Sequence, residues 1–126
     1  MSKLEKYLAK AKDEAARKTM TVEIDGEVWS VRSLTLTELR TCERMADKGE
    51  EFDWYRYNDA RIVKATEHEF QWNNQDLQKA YKAVDKYDLP AKLFDHDMEG
   101  YAKLLNAIRE ISQEQSEEEL VEEAKN

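Results

Sequence analysis

Two histidines and a single cysteine have the widest chemical repertoire among the side chains of this 126-residue sequence. Each histidine stands between carboxylates, in Glu67-His68-Glu69 and Asp95-His96-Asp97, and imidazole with carboxylate is a donor set that zinc accepts. The spacing works against a chelate. Neighbouring residues point about 100° apart on a helix and to opposite faces on a strand. The pattern that puts two histidines on one helix face, at i and i+4 around a glutamate, is absent. No metal or other cofactor is expected. Cys42 falls on the stripe Leu36, Leu39, Cys42, Ala46, where a free cysteine behaves as a small hydrophobe. A reactive thiolate needs positive charge or a helix N-terminus facing it, and Arg40 and Arg44 project from other sides of the same turn. Three scattered glycines build no phosphate loop, nucleophile elbow or dinucleotide fingerprint. The sequence predicts no catalytic residue and no enzyme.

A different chemistry is written in the aromatic residues. Phe52-Asp53-Trp54-Tyr55-Arg56-Tyr57, with Phe70 and Trp72 downstream, interleaves rings with arginine. Such runs stack on single-stranded bases, but Glu50, Glu51, Asp53 and Asp59 would repel a phosphate backbone. The plain reading packs about half of these rings in the core; the competing reading is a protein-binding surface, where Trp, Tyr and Arg are enriched. The candidate partner-binding residues are Trp54, Tyr55, Tyr57, Phe70 and Trp72, with Leu120 and Val121 as apolar contacts in an acidic C-terminal segment.

Charge and composition narrow the partner class. Asp and Glu number 28 against 20 Lys and Arg, a formal charge of −8, the wrong sign for non-specific binding to nucleic acid or anionic membrane. No apolar run approaches the ~20 residues of a membrane span, and the first residues lack the apolar stretch of a secretory signal. With Cys42 alone, no intramolecular disulfide forms, and a reduced, cytosolic setting is expected. The length suits one domain.

The elements that must position these residues follow from periodicity. Leu4, Tyr7, Leu8, Ala11 and Ala15 have helical spacing, which predicts an amphipathic helix over residues 2–18 with a thin stripe that needs a packing partner. Around Asp25-Gly26, a two-residue hairpin signal, Val22 falls opposite Trp29 and Met20 opposite Val31, giving a β-hairpin over residues 20–32 with one apolar face. Thr35 and Glu38 have capping-box spacing at the start of a second helix that ends before Gly49. Asp53 caps a third helix running to about Thr66, whose broad apolar face suits a central position. Asn73-Asn74 start a helix with the stripe Leu77, Ala80, Tyr81, Val84; Asp88-Leu89-Pro90 read as a cap and first turn; Asp97 caps a last helix with Met98, Tyr101, Leu104, Leu105 and Ile108 on one side. Residues 112–126 hold six glutamates and one lysine, and read as a fraying helix or an acidic tail.

The fold class is therefore α+β, predominantly α-helical, with five or six short helices and one N-terminal hairpin. Three segments are expected: an amphipathic helix at 1–18, a main domain at 19–111 and an acidic tail at 112–126.

The order of features resembles a known family. A short hairpin leads into Leu34-Thr35-Leu36-Thr37-Glu38-Leu39, then Phe52-Asp53-Trp54-Tyr55-Arg56-Tyr57-Asn58-Asp59-Ala60-Arg61-Ile62-Val63 and the short helix Asp76-Leu77-Gln78-Lys79-Ala80-Tyr81. Leu93-Phe94-Asp95-His96-Asp97-Met98-Glu99-Gly100-Tyr101-Ala102-Lys103-Leu104 leads into the last helix. Over roughly residues 20–112 this is similar to the XkdN-like tail assembly chaperones of phages and prophages in Gram-positive hosts. His68-Glu69-Phe70-Gln71-Trp72 stands where that family shows a proline-containing junction, and Asp97-Met98-Glu99 where it shows a Pro-Gly-Glu-like helix start.

The resemblance implies a non-enzymatic role: binding the tape measure protein, and possibly the tail tube protein, and keeping the former soluble until the tube polymerises. It places the chain in the bacterial host cytoplasm and outside the mature virion. Self-association stays open. The competing reading is a small acidic phage-type inhibitor that mimics DNA charge and blocks a host nucleic-acid-binding protein. Salt-sensitive binding to a basic host protein would favour that reading over salt-tolerant binding to an apolar client.

Overall fold

The computed structural model describes residues 2–12 and 17–112. Within them the chain is α+β and mostly helical, with six helices and one two-stranded antiparallel hairpin. The first helix, α1 (Lys3–Lys12), is exposed at all ten residues. The expected helix reached residue 18; residues 13–16 lie outside the described residues, and Arg17 and Lys18 are not helical. They are instead tied to the domain. Ser33 N–H donates to the Lys18 carbonyl at 2.8 Å, and Arg17 pairs with Glu38 at 2.9 Å.

Asp25 and Gly26 adopt φ of +50° and +78°, the two left-handed positions that a type I′ turn requires. They join β1 (Thr19–Ile24) to β2 (Glu27–Arg32), with Val22 opposite Trp29 and Met20 opposite Val31, the expected register. The face carrying Met20, Val22, Ile24, Trp29 and Val31 lies on the helical core.

Helix α2 (Leu36–Ala46) opens with the expected capping box: Glu38 N–H donates to Thr35 Oγ1 at 3.1 Å and Thr35 N–H to Glu38 Oε1 at 3.0 Å. Its buried stripe is Cys42 and Ala46; Leu36, in the first turn, stays exposed. Helix α3 (Trp54–Thr66) runs through the middle, touching α2, α6 and the hairpin. Ala60, Arg61, Ile62, Val63, Ala65 and Thr66 are all buried, so neighbours cover it on several sides.

Three short-range expectations are corrected. Helix α4 (Gln75–Ala80) is capped by Asn74, but it stops before Tyr81 because Lys82 turns left-handed at φ +54° and Ala83 N–H reaches back to the Gln78 carbonyl at 2.8 Å. The stripe through Ala80, Tyr81 and Val84 is thereby broken, and Val84 is 90% exposed. Asp88 is the N-cap residue of α5 (Leu89–Leu93), with Pro90 in the first turn as expected, but its side chain makes no cap hydrogen bond. Asp85, three residues earlier, caps a 3-10 turn by accepting from the Tyr87 and Asp88 N–H groups, both at 3.0 Å, while Asp88 pairs with Lys92 at 3.4 Å. In α6 (Met98–Ile111), capped by Asp97, the buried face is Leu104, Leu105, Ala107 and Ile108; Met98 is 82% exposed at the helix start. The acidic residues 113–126, Leu120 and Val121 included, lie outside the described residues.

Candidate functional site

The rings that look alike in sequence are sorted by the fold into two clusters. The inner one gathers Trp29, Phe70, Trp72 and Phe94. Trp29 lies 4.9 Å from Phe70, 6.1 Å from Trp72 and 5.8 Å from Phe94, centroid to centroid. Trp72 is 1% exposed, and its Nε1–H donates at 2.8 Å to Thr66 Oγ1, which itself donates to the Ile62 carbonyl at 2.7 Å. That chain satisfies the indole and the hydroxyl inside an apolar core. Trp72 is thus a core residue with no surface for a partner in this conformation. Phe70, half-buried on Trp72 at 4.6 Å, packs with it.

The outer cluster is built where α2 hands over to α3. Asp53 N–H donates to the Ala46 carbonyl at 2.8 Å and Lys48 N–H to the Glu51 carbonyl at 2.9 Å, while Asp47 and Phe52 form an isolated β-bridge. Gly49, at φ +84°, supplies the left-handed residue this tight loop needs. The loop delivers Phe52 onto the first turn of α3, 4.6 Å from Trp54 and 5.6 Å from Tyr57, with Trp54 and Tyr57 edge-on at 5.8 Å. Each is an attractive ring geometry. From beneath, Arg61 places its guanidinium 5.1 Å over the Tyr57 ring and donates to Asn58 Oδ1 at 3.1 Å.

Unlike the inner rings, these remain at the surface: Phe52 is 36% exposed, Trp54 64% and Tyr55 84%. With Glu43, Arg44 and Asp47 of α2 and its C-cap, Phe52, Trp54 and Tyr57 line an open pocket of about 460 Å³. On the other side of Trp54, a second recess of about 350 Å³ is lined by Lys48, Glu51, Phe52, Asp53 and Tyr55. The rim is acidic on balance, since Glu43, Asp47, Glu50, Glu51 and Asp53 outnumber Arg44 and Lys48. Asp53 anchors the arrangement. Its carboxylate accepts from Arg56 N–H at 3.1 Å and meets Lys48 Nζ at 3.0 Å, and these two contacts, the helix N–H first, hold its pKa below the ordinary value. The arrangement can grip a complementary apolar surface.

Trp54 and Tyr57 are therefore brought together, Tyr55 lines the recess on the other side of Trp54, Phe70 and Trp72 are placed elsewhere, and Leu120 and Val121 lie outside the described residues. Sequence reasoning missed Phe52 as a site residue, although it stands in the same run as Trp54. It also missed Glu43, Arg44 and Asp47, which nothing in the sequence links to the rings.

Of the residues with catalytic potential, Cys42 and the Glu67-His68-Glu69 group are engaged structurally, whereas His96 is exposed, 4.0 Å from Asp95. Cys42 is fully buried, and burial pushes its thiol up to about 11. Glu67 pairs with Lys64 and Lys86 at 3.4 and 3.3 Å. Glu69 Oε1 accepts from Ser30 N–H at 2.7 Å, and His68 Nε2 lies 3.1 Å from Ser30 Oγ, so this tripeptide fastens the end of α3 to β2. Partial burial, then Arg32 and Arg17, hold the His68 imidazole below its ordinary pKa. Among the described residues no three His, Cys, Asp or Glu side chains converge on a point that could hold a metal ion. Nor, among them, is any helix long and apolar enough to cross a membrane.

The fold is similar to the crystal structure of the protein yqbn, with a TM-score of 0.59 at 18% identity over 79% of this chain and 87% of that one. At that identity the likeness concerns the fold alone. No curated protein matches the sequence. Residues 4–125 match the family described as phage XkdN-like tail assembly chaperone protein. That match spans nearly the whole chain, and the protein belongs to the XkdN-like phage tail assembly chaperone family.

Proposed function

We propose that this chain binds the tape measure protein through Phe52, Trp54, Tyr55 and Tyr57, and keeps it soluble in the host cytoplasm until tail tube subunits polymerise around it. The observation that carries the reading is the edge-packed cluster of Phe52, Trp54 and Tyr57 at the surface, an aromatic patch of the kind that dominates binding energy in protein interfaces. The acidic rim keeps the complex soluble and selects a client with apolar faces and basic flanks. A helical client segment laid against the pocket, with one or two apolar side chains inserted beside Trp54, meets the geometry. The grip is limited to a few rings, so tube subunits displace the chaperone and it stays out of the virion. No bond is made or broken in this cycle.

The test is co-expression of the tape measure protein with the wild-type chain and with the Trp54→Ala/Tyr55→Ala double variant. The soluble fraction of the client is expected to fall several-fold with the variant, and the wild-type complex to survive ~0.5 M salt, where exposed charge pairs are screened. Unchanged solubility, or dissociation by salt alone, contradicts the proposal.

A further inference from the structure

Helix α1 exposes Leu4, Tyr7 and Leu8 on one side, and four lysines against one glutamate give it a charge of +3. An amphipathic helix with so thin an apolar stripe draws most of its stability from packing, so α1 needs a partner on that face. The chain itself supplies a matching one. Residues 113–126, beyond the described structure, carry a charge of −5 and place Leu120, Val121 and Ala124 at a spacing that one side of a helix collects.

Both segments leave the domain at the same edge. Ser112, the last described residue, accepts from Leu34 N–H through its Oγ at 3.2 Å. Arg17, the first described residue after the break that follows α1, pairs with Glu38, whose carboxylate also closes the capping box on Thr35. The two exits are thus fastened to residues 34 and 38 of one short stretch. Counted outward from there along the chain, the lysines of α1 and the glutamates of 117–123 stand at similar separations from the two exits. The minority charges also match: Glu5 lies twelve residues before Arg17 and Lys125 thirteen after Ser112, so an antiparallel pairing puts this inverted pair together at the outer end.

We propose that residues 113–126 of the same chain dock antiparallel on the apolar face of α1, with Leu120 and Val121 against Leu4, Tyr7 and Leu8. The clasp covers this face in the free protein. It is independent of the surface around Trp54, and in the free chain it occupies the two apolar residues that the acidic segment would otherwise offer to a partner.

Hydrogen exchange of the full chain tests it, with the amides of α1 as the readout and those of α3 as the folding control. In the wild type, α1 amides are expected to exchange at least about tenfold more slowly than in a Leu120→Asp/Val121→Asp variant, at every protein concentration, with α3 unchanged. A second variant, Glu118→Lys/Glu122→Lys, is expected to lose the same protection and to regain it when combined with Lys6→Glu/Lys10→Glu. Equal exchange in wild type and variant overturns the proposal. Protection that grows with protein concentration also overturns it, because a second copy would then be the occupant.

Discussion

Tyr101 on α6 donates a hydrogen bond from its hydroxyl to Asp59 Oδ1 on α3 at 2.5 Å, across a contact where both groups are partly buried. Burial dominates at Asp59 and lifts its carboxyl from the ordinary 3.8 to about 6, against the opposing pull of the Tyr101 hydroxyl and of Arg56. Burial and the same bond push Tyr101 up as well. The pair locks the central helix to the last one, and it makes one term of the stability pH-dependent.

The sign follows from proton binding. Between about pH 4 and 6 the folded state binds this proton more tightly than the unfolded chain, so the term is fully present below the lower value and is lost as pH rises through the upper one. Asp59→Asn removes it. Relative to wild type, the variant is expected to gain on the order of 1 kcal/mol between pH 4 and 7, after allowance for residual solvent contact. Urea midpoints of both proteins at the two pH values read this out. Asp85 works the other way at lower pH. Arg56 binds it at 2.9 Å and holds its pKa down, so its contribution disappears only as pH falls below the ordinary carboxylate range.

Gly100 faces β1 with no room for a side chain. A Cβ there would lie 2.7 Å from Ile24 Cγ2 and 2.6 Å from Asp97 Oδ2, the carboxylate that caps α6. Gly100→Ala is expected to cost about 1–3 kcal/mol by forcing the hairpin off the helix, although alanine is the better helix former. Thermal unfolding monitored by circular dichroism measures it, and an unchanged or raised Tm would show that the hairpin yields freely.

The two tryptophans separated by the fold have opposite expectations. Trp72→Ala empties the inner cluster and removes the donor to Thr66 Oγ1, at a cost of about 3–5 kcal/mol. Trp54→Ala loses two ring contacts at the surface and is expected to cost no more than about 1.5 kcal/mol. Denaturant titration of the two variants side by side checks the ordering.

Cys42 is expected to resist a thiol reagent in the native state. With its pKa near 11, only roughly a thousandth is thiolate at pH 8, and no part of the side chain reaches solvent. Labelling should track unfolding as denaturant is added; rapid labelling in buffer would mean that α2 opens locally.

What the sequence made legible was local. Asp25-Gly26 dictates its own turn and hence the register of Val22 on Trp29; Thr35 with Glu38, Asp53, Asn74 and Asp97 each declare a helix start through a bond spanning three residues. Burial of particular rings was not legible, because Trp54 and Trp72 differ only in what the rest of the chain brings to them: one meets Thr66, Phe70 and Trp29, the other the edge of a loop. Leu36 and Met98 fit their helical stripes yet lie in first turns, where no neighbouring element among the described residues covers them. The α4 stripe failed for a backbone reason, a lysine in the left-handed region, which residue type does not signal.

The claim that residues 52–57 hold the tape measure protein is tested most directly by a photo-reactive amino acid in place of Tyr55, which is 84% exposed, during co-expression of the two proteins. Val84 and Met98, 90% and 82% exposed on other parts of the surface, serve as controls. The expected result is a covalent adduct with the tape measure protein from position 55 and none from 84 or 98. Adducts from 84 or 98 with none from 55 would contradict the account.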